Sequence, residues 1–377
     1  MIFHIAGLPW ADFTSQFLTC AYTQKVIKFS RMMMDRGHKV YLYGGAKNEA
    51  PCTKHFTIFT PADRAKWFGK SKKKNHFDSV GSSQVIWDMN HPCWVTSNAR
   101  MIEICRKTMK AKTDIICILA GHCQRALADA FPANISCEPF VGYTGFFTPF
   151  RAFESQAWRH FVYGKMNQEN GTWLDTVISA YIDPAEFPYI NKGNGDYLLF
   201  LGRLVTRKGV TVASDIAKQA GMKLKIAGPG ALEVLPGMIR AEEFTLFGKH
   251  VEYCGVANQK QRAKLIAGAK AVLMPTYFLE PGGNVCGESL MCGTPVIAPD
   301  WGCMSELIHN DFNGFKFQNL PEAVAAVKRC DAFDNQAIRA HAIHNFSLEA
   351  TAPKFERWFS NLLSIYTHNW DGSPLKK

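Results

Sequence analysis

No stretch of this sequence approaches the ~20 consecutive apolar residues that a bilayer-spanning helix requires, so no transmembrane segment is expected. The start, M-I-F-H-I-A-G-L-P-W, has no basic segment ahead of its apolar residues and runs straight into a turn. It reads as a first strand and not a signal peptide, which predicts a cytoplasmic chain, or one in a host cytoplasm if the source is viral. None of the twelve cysteines forms a C-x-x-C pair, and Cys105, Cys117 and Cys292 fall inside apolar segments. That scatter argues against structural zinc and for buried, reduced thiols. No D-x-D occurs, so a paired-aspartate clamp for a divalent cation is missing and no metal is expected. Long repeats and low-complexity segments are absent too.

What is there is a globular composition with a surplus of positive charge. The 377 residues are 47% hydrophobic and 20% charged, enough for two ordinary domains with separate cores. Lysine and arginine exceed the acids by 43 to 32, a formal charge of +11. Such a balance suits phosphate-bearing ligands and an anionic partner, either a membrane surface or a nucleic acid.

Phe3 to Ala6 reads as a strand, Thr19 to Arg36 as a helix with Val26, Phe29 and Met33 on one face, and Lys39 to Tyr43 as a second strand. This strand, helix, strand succession opens a doubly wound α/β domain. Lys70 to Lys74, K-S-K-K-K, is either a solvated loop or a holder of an anionic acceptor. Asp114 to Ala120 is a continuous apolar run and hence a buried parallel strand, with His122 just past its end. Pro139 to Tyr143 reads as a strand and Phe153 to His160 as a helix. Glu138 and Glu154 are candidates for general acid or base work, though a cap or a salt bridge is the more economical reading. Thr176 to Ala180 closes the domain as a strand, and the Pro/Gly/Asn-rich stretch Tyr181 to Asp196 is a linker.

The second half repeats the scheme. Tyr197 to Leu201 is a strand followed by G-R-L-V-T-R-K-G, Gly202 to Gly209, in which Arg203 and Lys208 stand at a strand end before a helix. A guanidinium fork plus a mobile ammonium is a fitting pair for a diphosphate. Leu224 to Ala227 leads into Gly228-Pro229-Gly230, and Val251 to Gly255 leads into a Gln259 to Ala269 helix. The strand Ala271 to Met274 is followed by Y-F-L-E-P-G-G-N-V-C-G-E-S-L-M-C-G-T-P-V, a turn and then a helix beginning near Val285, with Thr294 to Ala298 as the next strand. Glu280 and Glu288 thereby fall at the carboxyl edge of a parallel sheet, where open α/β folds take ligands. Gly282 and Gly283 allow close backbone approach, and the helix-start amides favour anionic oxygens. The alternative is a helix N-terminus decorated with acids, which are favourable there in any case. N-D-F-N-G-F-K-F reads as a hairpin-like return at Asn313-Gly314, helices at Glu322 to Cys330 and Thr351 to Tyr366 follow, and the tail from Asn369 is expected to fray.

With seven residues between Glu280 and Glu288, C-G-T-P-V after the helix, and G-R-L-x-x-x-K-G upstream, the chain resembles retaining GT-B glycosyltransferases of the large family 4 (glycosyl transferases group 1). The resemblance covers the second domain; the first matches by architecture and His122. It implies an α/β GT-B fold of two Rossmann-like doubly wound domains facing a central cleft. Residues 1–190 would be an acceptor-side domain, 191–350 a nucleotide-sugar domain, and 351–377 a helix crossing back to the first domain, with a tail. It implies a metal-independent hexosyltransferase with no permanent cofactor, using a nucleotide-diphosphate sugar, UDP-sugar favoured, as donor. The acceptor would be a glycan, a lipid at a membrane surface or another hydroxyl. Glu280, His122, Arg203 and Lys208 would be catalytic. Arg203, Lys208, Gly282, Gly283, Asn284, Val285, Glu288, Gly228 and Val256 would bind the donor, Glu288 at the ribose and Val256 near the base. The glycine-richer Pro281-Gly282-Gly283-Asn284 departs from the phenylalanine-glycine often found between the glutamates. Two other readings stay open: a glucosyltransferase acting on hydroxymethylated bases in DNA, motivated by Lys70 to Lys74 and Arg106 to Lys112, and a non-catalytic nucleotide-sugar-binding protein.

Overall fold

The computed structural model describes residues 1–17, 20–69, 86–190 and 195–368. The expected basic loop at Lys70 to Lys74 and the tail from Asn369 lie outside them, as does Thr19 at the expected start of the first helix. The chain divides into two compact units. One comprises Met1–Phe153, Met166–Ile178 and Ala352–Lys377, the other Glu154–Lys165 and Ser179–Thr351. Among the described residues no helix is long and apolar enough to cross a membrane.

The first unit is built on a parallel sheet of seven strands: β1 (Ile2–Ala6), β2 (Lys39–Gly44), β3 (Lys54–Thr57), β4 (Asp114–Cys117), β5 (Ile135–Val141), β6 (Phe150–Phe153) and β7 (Thr176–Val177), in the order β3-β2-β1-β4-β5-β6-β7. Order reverses between β1 and β4, the kind of point at which doubly wound sheets open a crevice. The helix Ala21–Asp35 buries Val26, Phe29 and Met33, the stripe that its periodicity predicts. The expected helix from Phe153 starts at Gln156 instead, because Phe150–Phe153 pairs with β5 and β7 as a strand too short to leave a periodic signal.

One face of this sheet is closed by the last helix, Leu348–Ser364. Phe355 and Phe359, both fully buried, pack edge-on against Phe29 at 5.1 and 5.9 Å between ring centres, and Phe359 lies 4.7 Å from Phe3. Trp358 donates its indole N–H to the Leu174 carbonyl at 2.7 Å, and Glu356 pairs with His38 at 2.7 Å. The helix passes into the first unit at Ala352, beside Pro353, the one residue of the segment with no N–H to donate.

The second unit has a six-stranded parallel sheet of β8 (Tyr197–Leu201), β9 (Lys223–Ala227), β13 (Val251–Tyr253), β14 (Ala271–Leu273), β15 (Val296–Pro299) and β16 (Gly314–Phe317), in the order β13-β9-β8-β14-β15-β16. Alternation along the strands sorts side chains to opposite faces, and both faces are buried. Leu199, Leu201, Val272, Val296 and Ala298 pack with the helices Gln259–Ala267, Asn284–Met291 and Asn335–Phe346. Leu198, Phe200, Leu273 and Ile297 pack with Val210–Gln219 and Leu320–Arg329 on the other side. Between β9 and β13 a small antiparallel sheet, β10 (Ala231–Leu235), β11 (Met238–Ala241) and β12 (Thr245–Phe247), adds Ile239, Ala241 and Leu246 to that second core. Asn313-Gly314 is no hairpin: Gly314 opens β16, which runs parallel to β15, and Asn313 turns the chain by accepting from the His309 amide at 2.7 Å. All twelve cysteines are free, ten of them buried.

Phe359→Ala is expected to destabilise the first unit by ~3–5 kcal/mol, the cost of an emptied aromatic site in a closed core. Urea unfolding followed by tryptophan fluorescence, compared with the parent chain, measures it.

Candidate active site

Four loops of the second unit leave the carboxyl ends of β13, β9, β8 and β14, which are consecutive in the sheet. The turn after β8 carries Arg203, Arg207 and Lys208. It is tied to its neighbours by backbone bonds from Gly202 to the Ala227 carbonyl at 3.0 Å and from Leu204 to the Pro229 carbonyl at 2.9 Å. Gly228 is essential to that seam: its φ is +146°, and a Cβ there would stand 1.9 Å from the Gly202 carbonyl oxygen.

On the other side the turn after β14 reaches back. The Tyr277 amide and the Thr276 hydroxyl donate to the Arg207 carbonyl at 2.9 and 3.1 Å. Across this seam Lys208 forms an ion pair with Glu280 Oε1, and both side chains are largely buried. Phe278 lies under the cations, with the Arg207 guanidinium 4.8 Å and the Lys208 ammonium 5.4 Å from its ring centre. Arg203 is half-buried, and its pKa is lowered first by burial and then by Arg207, with Glu280 pulling the other way. Three cations thus share one turn with two acids, Glu280 on Lys208 and Glu243, which accepts from the Thr206 amide at 2.7 Å and lies near Arg207. The net positive charge that remains favours an anion.

The helix Asn284–Met291 begins directly after Gly282-Gly283. Its first bond runs from the Gly287 amide to the Gly283 carbonyl at 3.1 Å, so the amides of Asn284 and Val285 have no partner within the helix. Gly283 has φ +58°, and a Cβ there would lie 2.8 Å from Cys303 Sγ. At Gly282 the same test meets Glu154 Oε2 at 2.0 Å. Both glycines therefore make room for the protein's own atoms, and they bring a second carboxylate against the turn. Glu306 binds the start of the helix Gln156–Lys165 through the Gln156 and Ala157 amides at 3.0 and 2.8 Å. Burial, reinforced by Cys286, Glu280, Glu154 and Glu306, pushes the Cys303 thiol well up and keeps it protonated.

Glu288 is 7% exposed, on the buried part of its helix, and its Oε2 is ion-paired with Arg262 of the helix Gln259–Ala267. Val256, 48% exposed, stands in the turn leading to that helix. Arg262 carries no signal in the sequence. It is one of several cations on a polar helix, and only the fold selects it.

His122 belongs to the first unit. It is exposed, in the turn past β4, with its amide donating to the Gly145 carbonyl at 3.1 Å and its ring 5.7 Å from that of Phe147. Two buried side chains that the sequence reading gave no such part shape its surroundings. Gln124 accepts from the Leu119 and Ala120 amides at 2.8 and 3.0 Å and donates to the Ala6 and Gly7 carbonyls at 3.2 and 2.9 Å, joining the ends of β4 and β1. Glu138, fully buried, accepts from the Tyr143 hydroxyl at 2.7 Å, the Phe147 and Thr148 amides at 3.1 and 2.9 Å, and the Thr148 hydroxyl at 2.8 Å. It organises the loop carrying Phe147.

Residues 183–345, which hold Arg203, Lys208, Gly228, Val256, Arg262, Glu280 and Glu288 but not Glu154 or the helix Gln156–Lys165, match the family described as Glycosyl transferases group 1. This segment belongs to that family. An uncharacterized glycosyltransferase of Methanocaldococcus jannaschii is 30% identical over 135 residues, 34% of this chain and 33% of its own length. The D-inositol 3-phosphate glycosyltransferase of Jonesia denitrificans is 27% identical over 190 residues, 46% of this chain and 43% of its own length. The matches therefore span well under half of these relatives. Among solved structures, AviGT4, a glycosyltransferase involved in avilamycin A biosynthesis, is similar with TM-score 0.64 and 19% identity, covering 96% of this chain and 98% of that one. Anabaena Alr3699/HepE in complex with UDP and glucose gives 0.65 and 15%, covering 96% and 100%. These likenesses show the fold of this chain, GT-B with two Rossmann-like units.

Burial raises the Glu138 pKa above the ordinary glutamate value of 4.5, and its four hydrogen bonds offset only part of the rise. The folded state then holds this proton more tightly than the unfolded chain does, so stability falls as pH rises from about 4.5 through the raised folded value. Glu138→Gln is expected to lack that component, seen as a flatter difference in melting temperature against pH relative to the parent protein.

Proposed function

We propose that this protein is a retaining, metal-independent glycosyltransferase that moves a hexose from a UDP-sugar to an acceptor hydroxyl. The reading is carried by one observation: the Lys208 to Glu280 ion pair, which joins the basic turn after β8 to the turn that opens the helix bearing Glu288. Membership of residues 183–345 in glycosyl transferases group 1 supports it, and the likeness in fold to a protein solved with UDP and glucose makes UDP the first nucleotide to test.

In this mechanism the bond between the sugar's anomeric carbon and the diphosphate oxygen breaks, and charge grows on the departing phosphate. Arg203, Lys208 and the Asn284 and Val285 amides are preset to receive that charge, so no solvent need reorganise as it develops. Lys208 divides its attraction between Glu280 and phosphate oxygens, which frees Glu280 to accept hydrogen bonds from sugar hydroxyls or face the positive charge on the sugar. Glu288 accepts the ribose hydroxyls, Val256 borders the base, Gly228 lets the neighbouring turn approach, and His122 contacts sugar hydroxyls. The acceptor oxygen bonds to the anomeric carbon on the face the phosphate leaves, and its proton passes to the departing phosphate oxygen. Configuration is retained without a protein nucleophile. The first unit serves the acceptor and the second the donor, and the charge of +11 favours an acceptor that is itself anionic.

Hydrolysis or transfer assayed with UDP-, GDP- and ADP-sugars is expected to show one preferred donor. Arg203→Ala should lower kcat by ~10²–10³, the usual loss for one preset charge-stabilising donor. Glu288→Ala should weaken donor binding by on the order of tenfold or more. Undiminished turnover in both variants would sink the assignment, and nucleotide binding with neither transfer nor hydrolysis would replace it with a binding protein.

A further inference from the structure

The two glutamates share a pattern. Glu280 receives Lys208 on Oε1, with the Thr276 hydroxyl oxygen 3.4 Å away, while Glu288 receives Arg262 on Oε2. Among the described residues no hydrogen bond reaches the other oxygen of either carboxylate. Each acid is thus held by a cation on one side and open on the other.

For Glu288 the consequence is geometric: the Arg262 guanidinium holds one oxygen and so fixes the rotation of the carboxylate plane. The base of Arg262 is itself firm: its helix starts with a capping box in which Asn258 accepts from the Gln261 amide at 3.0 Å and Gln261 accepts from the Asn258 amide at 2.8 Å.

We propose that Arg262 is the positioning residue for ribose recognition: by holding Oε2 of Glu288 it presents Oε1 to a nucleoside hydroxyl and sets the preference for a ribonucleotide over its deoxy counterpart. This rests on the ribose role proposed above for Glu288. Arg262 itself touches no nucleotide in this scheme. Its effect is confined to ligands that carry the hydroxyl Glu288 accepts.

Calorimetric titration of the full chain with UDP, 2′-deoxy-UDP and 3′-deoxy-UDP tests it. The parent protein is expected to favour UDP over at least one deoxy analogue by about tenfold, the worth of a hydrogen bond to a charged group. Arg262→Leu should weaken UDP by a similar factor while leaving the disfavoured analogue's affinity unchanged, so that the preference disappears. Arg262→Lys, which keeps the charge but loses the fork, should recover part of it. If the leucine variant does not fold, Arg262→Gln carries the same comparison. Equal weakening of all three nucleotides would overturn the proposal, because Arg262 would then act on base, phosphate or fold. A failure of the underlying Glu288 assignment shows separately, as a ribose preference that survives Glu288→Gln with Arg262 intact.

Discussion

The ion pair between Lys208 and Glu280 is the constraint on which the carboxyl edge of the second unit's sheet depends. It crosses from the loop of one strand to that of the next in the sheet, and both partners are largely withdrawn from water. Through it two residues 72 apart in sequence meet at one point. The surrounding surplus of positive charge from Arg203 and Arg207 leaves the pair poised toward an anion.

The same edge is knit by close backbone approach. Gly228 meets the Gly202 carbonyl and Gly282 meets the Glu154 carboxylate at distances that no side chain tolerates. The first unit reaches a comparable result with buried polar side chains. Gln124 uses two acceptor bonds and two donor bonds to staple β1 to β4, and Glu138 gathers three loop residues around one carboxylate. Buried polar groups so fully partnered lend rigidity, whereas one left short of partners is costly.

Much of this was legible in the sequence because it follows from local pattern. The apolar runs at 114–120, 197–201 and 271–274 are strands buried on both faces, and continuous hydrophobicity is their signature. Glycine turns and paired acids at strand ends marked the edge of the second unit's sheet where Lys208 meets Glu280 and Arg262 meets Glu288. What escaped notice depends on tertiary partners. Phe150–Phe153 is a strand only because β5 and β7 flank it, and the strands β10 to β12 alternate too briefly to stand out. Asn313-Gly314 carries a hairpin dipeptide, yet its asparagine bonds backward to His309 and no antiparallel strand follows. Arg262 becomes special through Glu288, and Glu154 through Gly282; neither pairing has a fixed spacing to find.

The helix Leu348–Ser364 supplies Phe355 and Phe359 to a core shared with Phe3 and Phe29, which precede the second unit in the chain. During synthesis the first unit's sheet must therefore wait, with one aromatic face uncovered, until the second unit has been made. The second unit lacks that dependence from Ser179 to Thr351, apart from Glu154–Lys165, which is already made. Order of emergence and order of completion are reversed for the two units, and the first is the one more in need of shelter while translation is under way.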